Sequence, residues 1–147
     1  MRETGFVTGC CMLIPTKVIN TVGLMNEKFF LNFEDNEYSQ RIKRAGHKLY
    51  VNCDTHIYHK VSSTQGMFYG NIQQYFFHRN RMIFFMEQLG GIKRWCFFIT
   101  QFFIVIPGWL LFQLLRGHIK LFKIAFLAYV DYLCKKNGAG RLSSLLK

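Results

Sequence analysis

Acidic residues are scarce in this 147-residue chain: eight Asp and Glu stand against nineteen Lys and Arg, a formal net charge of +11. Asp occurs only at positions 35, 54 and 131, so no Asp-x-Asp pair is present to hold a divalent cation. Cysteine is present but unpatterned. Cys10, Cys11, Cys53, Cys96 and Cys134 form no Cys-x-x-Cys pair and show no ligand-like spacing with histidine, which argues against a zinc site or a disulfide framework. Reduced thiols in a cytosolic setting, mostly buried as small apolar residues, are expected instead. A secretory leader is not expected either, because the apolar run in MRETGFVTGCCMLIP is short and interrupted by Thr and Gly. Internal repeats and low-complexity tracts are absent.

What is there is unevenly spread. Half of the residues are hydrophobic and 16 are Phe, enough for one domain with a real core. Residues 1–59 carry seven Lys/Arg and six Asp/Glu, whereas 60–147 carry twelve and two. The first part reads as a nearly neutral globular segment, the second as a basic, aromatic tail that seeks an anionic surface. That surface is expected to be lipid and not nucleic acid. The tail's Phe and Leu form near-continuous runs, whereas stacking platforms space single aromatics along a basic groove.

GFVTGCCMLIP (5–15) reads as a buried strand closed by Pro15, and TKVINTVG (16–23) as a short helix stopped by Gly23. Residues 34–45 read as a helix with Tyr38, Ile42 and Ala45 on one face, a Glu37–Arg41 pair at i,i+4, and Gly46 as its end. A short strand, a turn near Asp54 and a further extended piece follow in 47–60, then a polar loop (61–66) and a helix over 69–89. Strands alternating with helices suggest an α/β layer structure. WCFFITQFFIVIPGWLLFQLL (95–115) then runs 21 residues without a charge, roughly the 20 needed to span a bilayer. Pro107-Gly108 divides it, and Lys93, Arg94, Arg116 and Lys120 flank both ends. An in-plane or bent segment on the cytoplasmic face of a membrane fits that symmetry better than a span. Residues 116–136 continue as an apolar helix fringed with Lys.

In FLNFEDNEYSQRIKRAGHKLY (30–50), Glu34, Asp35 and Glu37 fall within four positions. Acids at a helix start are favoured by about 0.3–1 kcal/mol, with Asn32 as the cap and Asp35 at the third helical position. The same arrangement would also serve a general base at the floor of a cleft. Spacing alone leaves both readings open.

Six elements in order favour the second. They are Gly9 to Ile14, Val22 to Phe30, Phe33 to Arg41, Ala45-Gly46, and His59 with Ser62, Ser63 and Thr64, followed by YFFHRNR (75–81). This order resembles the C-terminal half of the catalytic domain of family 2 glycosyltransferases, especially the bacterial rhamnosyltransferase-like members. The resemblance implies a GT-A fold (an α/β sandwich) that transfers sugar with inversion from a nucleotide-sugar to an acceptor hydroxyl. By the same resemblance Asp35 is the catalytic base, Glu34 shapes the acceptor site, and His59 lies near the donor diphosphate or its metal. Ser62, Ser63 and Thr64 would line the diphosphate pocket. Glu37 and Arg41 are already explained as a structural pair. Arg79 and Arg81 suit either a phosphate or lipid headgroups.

The family also carries a donor-binding half with an Asp-x-Asp motif for Mg²⁺ or Mn²⁺, and this sequence has no such motif. The chain is therefore expected to be incomplete, with Met1 a late start or the N-terminal half supplied in trans. The expected organisation is an acceptor-side half (1–66), a connecting helix (67–91) and a membrane-associated helical tail (92–147). The tail points to a lipid-linked saccharide acceptor in cell-surface polysaccharide assembly. A non-catalytic membrane-surface accessory protein, or a degenerate fragment, is the alternative.

Overall fold

The computed structural model describes residues 1–59 and 67–140. In chain order its elements are β1 (Arg2–Thr4), α1 (Thr16–Val22), α2 (Glu34–Arg44), β2 (Leu49–Val51) and α3 (Met67–Gln88). There follow α4 (Gly91–Thr100), a π-helical turn (Gln101–Val105), α5 (Ile106–Leu115) and α6 (Ile119–Leu133). Among the described residues the one sheet is two-stranded and antiparallel, with Arg2 opposite Val51 and Thr4 opposite Leu49.

The first part builds a small core from Val18, Tyr38, Ile42 and Leu49, with Val7, Met12, Ile14 and Val22 packed against it. Gly23 ends α1 at φ 78°, and the Tyr38 hydroxyl donates to its carbonyl at 2.9 Å. Gly46 (φ 85°) follows α2, and the His47 N–H returns to Ile42 O at 3.2 Å, closing the helix as a left-handed glycine allows. The strand expected over 5–15 does not form. No neighbouring strand among the described residues offers that segment a ladder, so its backbone bonds to α2 side chains instead. Val7 N–H donates to Ser39 Oγ at 3.3 Å, and Gly9 N–H to Asp35 Oδ2 at 3.2 Å. The segment is a ribbon of bends laid on α2, which leaves Cys10 and Cys11 exposed. Cys53, Cys96 and Cys134 are exposed too, contrary to the expected burial. Ala45 also faces solvent rather than sharing the buried face of Tyr38 and Ile42.

The second part is helical. Ile72, Tyr75 and Phe76 of α3 meet Ile124 and Ala128 of α6, and the fully buried Ala125 and Ala128 let the two helices approach closely. Met82, Ile106, Ala125 and Tyr129 join α5 to that pair, with Phe97 and Trp109 alongside. Pro107 does not divide the apolar stretch: Gly91–Leu115 is one run of 25 helical residues. Proline removes an N–H and crowds the carbonyl four residues back, and the wider π turn just before it absorbs both effects. That turn also re-phases the helix. Buried Gln101 is followed by buried Ile106 five residues on, and then by Gln113, so the inward stripe stays in line. The outward stripe is apolar: Ile92, Trp95, Ile99, Phe103, Leu111 and Leu115 are all exposed.

Candidate functional site

Two left-handed residues launch α2. Asn32 and Phe33 have φ of 65° and 73°, a conformation costing about 1–2 kcal/mol for a non-glycine residue and rare for a bulky one. Phe33 occupies the cap position without a side-chain hydrogen bond, so Asn32 does not cap the helix and Asp35 is its second residue, not its third. Packing from α3 offsets the strain. The Phe33 ring lies 5.8, 5.4 and 6.3 Å from the rings of Phe77, Phe84 and Phe85. Asn80 Nδ2 donates to Leu31 O at 2.7 Å and to Asn32 O at 3.0 Å, and Asn32 Nδ2 donates to Gln73 O at 3.4 Å. The helix behind the site thus aims the acids in front of it.

The three acids then diverge. Glu37 takes a two-pronged contact from Arg41, Nε to Oε1 and Nη2 to Oε2, both at 3.0 Å. Arg41 goes on to donate to Val22 O and Leu24 O, tying α1 to α2, so this pair is structural as expected. Asp35 accepts from Gly9 N–H (3.2 Å) on Oδ2, and from Asn36 N–H (2.8 Å) and Asn36 Nδ2 (3.2 Å) on Oδ1. A carboxylate offers about four lone-pair sites, so the carboxylate is held in one orientation while Oδ2 keeps one site open to a proton. A side chain at Gly9 would also come up against Asp35, its Cβ lying 3.7 Å from Asp35 Cβ.

Glu34 turns the other way, into an open cleft of ≈ 440 Å³ lined by Asn26, Glu27, Phe29 and Phe30 and by Gly138 and Ala139. Its Oε2 is buried and has no hydrogen-bond partner among the described residues. Burial raises the Glu34 pKa above its ordinary value, and the charge of Asp35 pushes it the same way against a backbone hydrogen bond. The two adjacent carboxyls therefore differ in kind. One is oriented by three donors with one acceptor site left open, and the other is half-buried and reluctant to ionise.

His59 is exposed at the end of the extended segment after β2. Ser62, Ser63 and Thr64 lie outside the described residues. Among those residues no group of three His, Cys, Asp or Glu converges to hold a metal ion. His59 alone is not a divalent-cation site, so the donor set present does not fit the Mg²⁺ or Mn²⁺ that the resemblance implies.

Sequence reasoning missed the buried polar core of α3. Arg79 is fully buried, not on the helix face expected for a phosphate or headgroup contact. Its Nε donates to Asn80 Oδ1 at 3.0 Å, its Nη2 to Gly138 O at 2.6 Å, and the guanidinium stacks over Phe76. Nearby, Tyr75 Oη donates to Asp131 Oδ2 at 2.7 Å, and Lys136 Nζ lies 3.3 Å from Asp131 Oδ1. A lone Arg-Asn pair inside an aromatic helix was the available signal, since a buried charge needs partners.

No family model matches the chain, and no solved structure matches it. Among curated proteins it is similar to the low-salt glycan biosynthesis hexosyltransferase Agl10 of Haloferax volcanii. The two are 27% identical over 119 residues, covering 78% of this chain and 37% of that protein. The chain thus spans little more than a third of the relative's length. The similarity supports a relationship to glycosyltransferases of glycan biosynthesis.

Proposed function

We propose that these residues form the acceptor-side part of an inverting glycosyltransferase of family 2, GT-A in fold and rhamnosyltransferase-like, working in cell-surface glycan assembly. The observation that carries this reading is similarity to a hexosyltransferase across most of the chain. The fixed carboxylate of Asp35, in the sequence order the resemblance requires, supports it. Asp35 Oδ2 takes the proton from an acceptor hydroxyl. The hydroxyl oxygen then bonds to the anomeric carbon from the face opposite the nucleoside diphosphate. The carbon–oxygen bond to that diphosphate breaks, and the electron pair leaves with it. Glu34 and the 25–30 loop shape the pocket in which the acceptor sugar sits. The donor-binding half and any Mg²⁺ or Mn²⁺ ligands lie outside the described residues, in the same or a second polypeptide.

The acceptor in this reading is lipid-linked, and the enzyme rests on the cytoplasmic face of a membrane. The exposed stripe from Ile92 to Leu115, with Lys93, Arg94, Arg116 and Lys120 at its ends, supports an in-plane attachment. Length alone permits a span, since 25 helical residues reach about 37 Å across a hydrocarbon core of about 30 Å. The inward face favours the surface, because it packs on helices that bury Arg79, Asn80 and Asp131, groups that are costly at bilayer depth. The decisive test assays the complete enzyme carrying Asp35→Asn. Transfer should be lost with nucleotide-sugar binding intact, and unchanged turnover would sink the assignment.

A further inference from the structure

The Glu34 cleft has two walls that are far apart in sequence: the 25–30 loop, which runs on into the left-handed turn at Asn32–Phe33, and the segment Gly138–Ala139. Gly138 N–H donates to Lys28 O at 3.0 Å, which joins them at one point. The rest of their placement comes from behind. Asn80 holds the turn through Leu31 O and Asn32 O, Arg79 holds Gly138 O, and Arg79 Nε binds Asn80 Oδ1. One welded pair of side chains therefore grips both walls. Arg79 and Asn80 are both fully buried. The chain beyond Gly138 is fitted to the guanidinium: a Cβ at Gly140 would stand 2.5 Å from Arg79 Nη1 and 3.0 Å from Tyr75 Oη.

We propose that Arg79 and Asn80 are positioning residues that set the width of the Glu34 cleft and the aim of α2, and so the fit of the acceptor. An apolar side chain of similar volume would serve bulk stability at least as well as a buried guanidinium, whereas only a fixed set of donors can hold three carbonyls in register. The assignment rests on reading this cleft as the acceptor site, but its test needs no sugar transfer.

The test is a carboxyl ¹³C NMR titration of Glu34 in the full chain, held in phospholipid nanodiscs. In the wild type the midpoint should lie above the ordinary 4.5. Asn80→Ala and Arg79→Lys should each move it back toward 4.5 as the walls part. Tyr129→Phe, which cuts the Tyr129–His78 bond between α3 and α6, should lower the unfolding midpoint and leave Glu34 where it was. The proposal is overturned by a wild-type midpoint at the ordinary value, by folded Arg79 and Asn80 variants that leave Glu34 unmoved, or by an equal shift in Tyr129→Phe. Should both buried variants fail to fold, Gly138→Ala strains the wall at φ 61°, at the residue whose carbonyl Arg79 holds, while both buried side chains stay in place. It must then shift Glu34, and an unmoved midpoint would again overturn the idea. An Asp35→Asn enzyme that still turns over would remove the transferase base and leave these titrations standing.

Discussion

The residues before position 60 and the helices after position 66 meet solvent differently. In the first region the core is apolar and small, and exposed apolar side chains such as Leu13, Leu24 and Tyr58 are scattered, as on ordinary soluble surfaces. In the second, an apolar core also takes in polar groups, and one outer face is apolar. His78, Arg79, Asn80, Gln101, Gln113 and Asp131 are buried, while Ile92, Ile99, Phe103 and Leu115 line one exposed face. A contiguous apolar face of this kind marks a contact with something other than water. The difference teaches how the work is divided: the first region carries the carboxylates, and the helical region, with its exposed apolar face, holds them in place.

The comparison can be broken at several points. The largest effect is expected at Asp35. Asp35→Asn in the complete enzyme should cost about 10²–10⁴-fold in kcat, the range for a lost general base, while donor affinity measured by calorimetry stays put. Next comes the exposed apolar face, which the proposed attachment sets against lipid. Each large side chain withdrawn from an apolar phase is worth about 1.5–3 kcal/mol, so Ile99→Lys with Phe103→Lys should weaken vesicle binding at least about a hundredfold by co-sedimentation. Equal retention would make the outward stripe an ordinary surface.

A third effect tests the polar groups buried in the helical region. Burial lowers the His78 pKa to about 4, with the charge of Arg81 acting in the same direction. Its Nδ1 shares a 2.9 Å hydrogen bond with the Tyr129 hydroxyl. The folded state takes up this proton only below about 4, the unfolded chain already near 6.5. Stability is therefore full above pH 6.5 and falls as pH drops toward 4, by at most roughly 3 kcal/mol. His78→Phe should flatten that window in chemical denaturation series. The smallest effect belongs to the first region: Glu3→Gln breaks the exposed Glu3–Lys48 pair and should leave the unfolding midpoint unchanged within error.

Local chemistry was legible from the residues. The Glu37–Arg41 pair, the stops at Gly23 and Gly46 and the long helix before Gly90 needed only neighbours within a turn of chain. The failures share a different cause. Residues 5–15 have strand composition, but a strand needs a partner that composition cannot guarantee. Pro107 predicts a break only when nothing relieves it, and a single inserted residue did. Arg79 looked like a surface cation because sequence does not reveal that Gly138, far along the chain, would arrive to accept its proton. The order of motifs singled out Asp35 and Glu34 together, but only the structure separates a carboxylate held on both oxygens from one whose buried Oε2 has no hydrogen-bond partner among the described residues.

The tie between Lys28 and Gly138 has a consequence for how the molecule comes into being. It joins residues more than a hundred positions apart, and contacts of such separation form late because the intervening chain must first be ordered. On a ribosome delivering about 5–20 residues per second, α2 and its carboxylates emerge well before α6 can bring Gly138 back to them. The apolar helix 91–115 emerges in between, so its exposed face is made before the cleft is closed. Assembly order alone then keeps the cleft unfinished until the helices that frame it have been made.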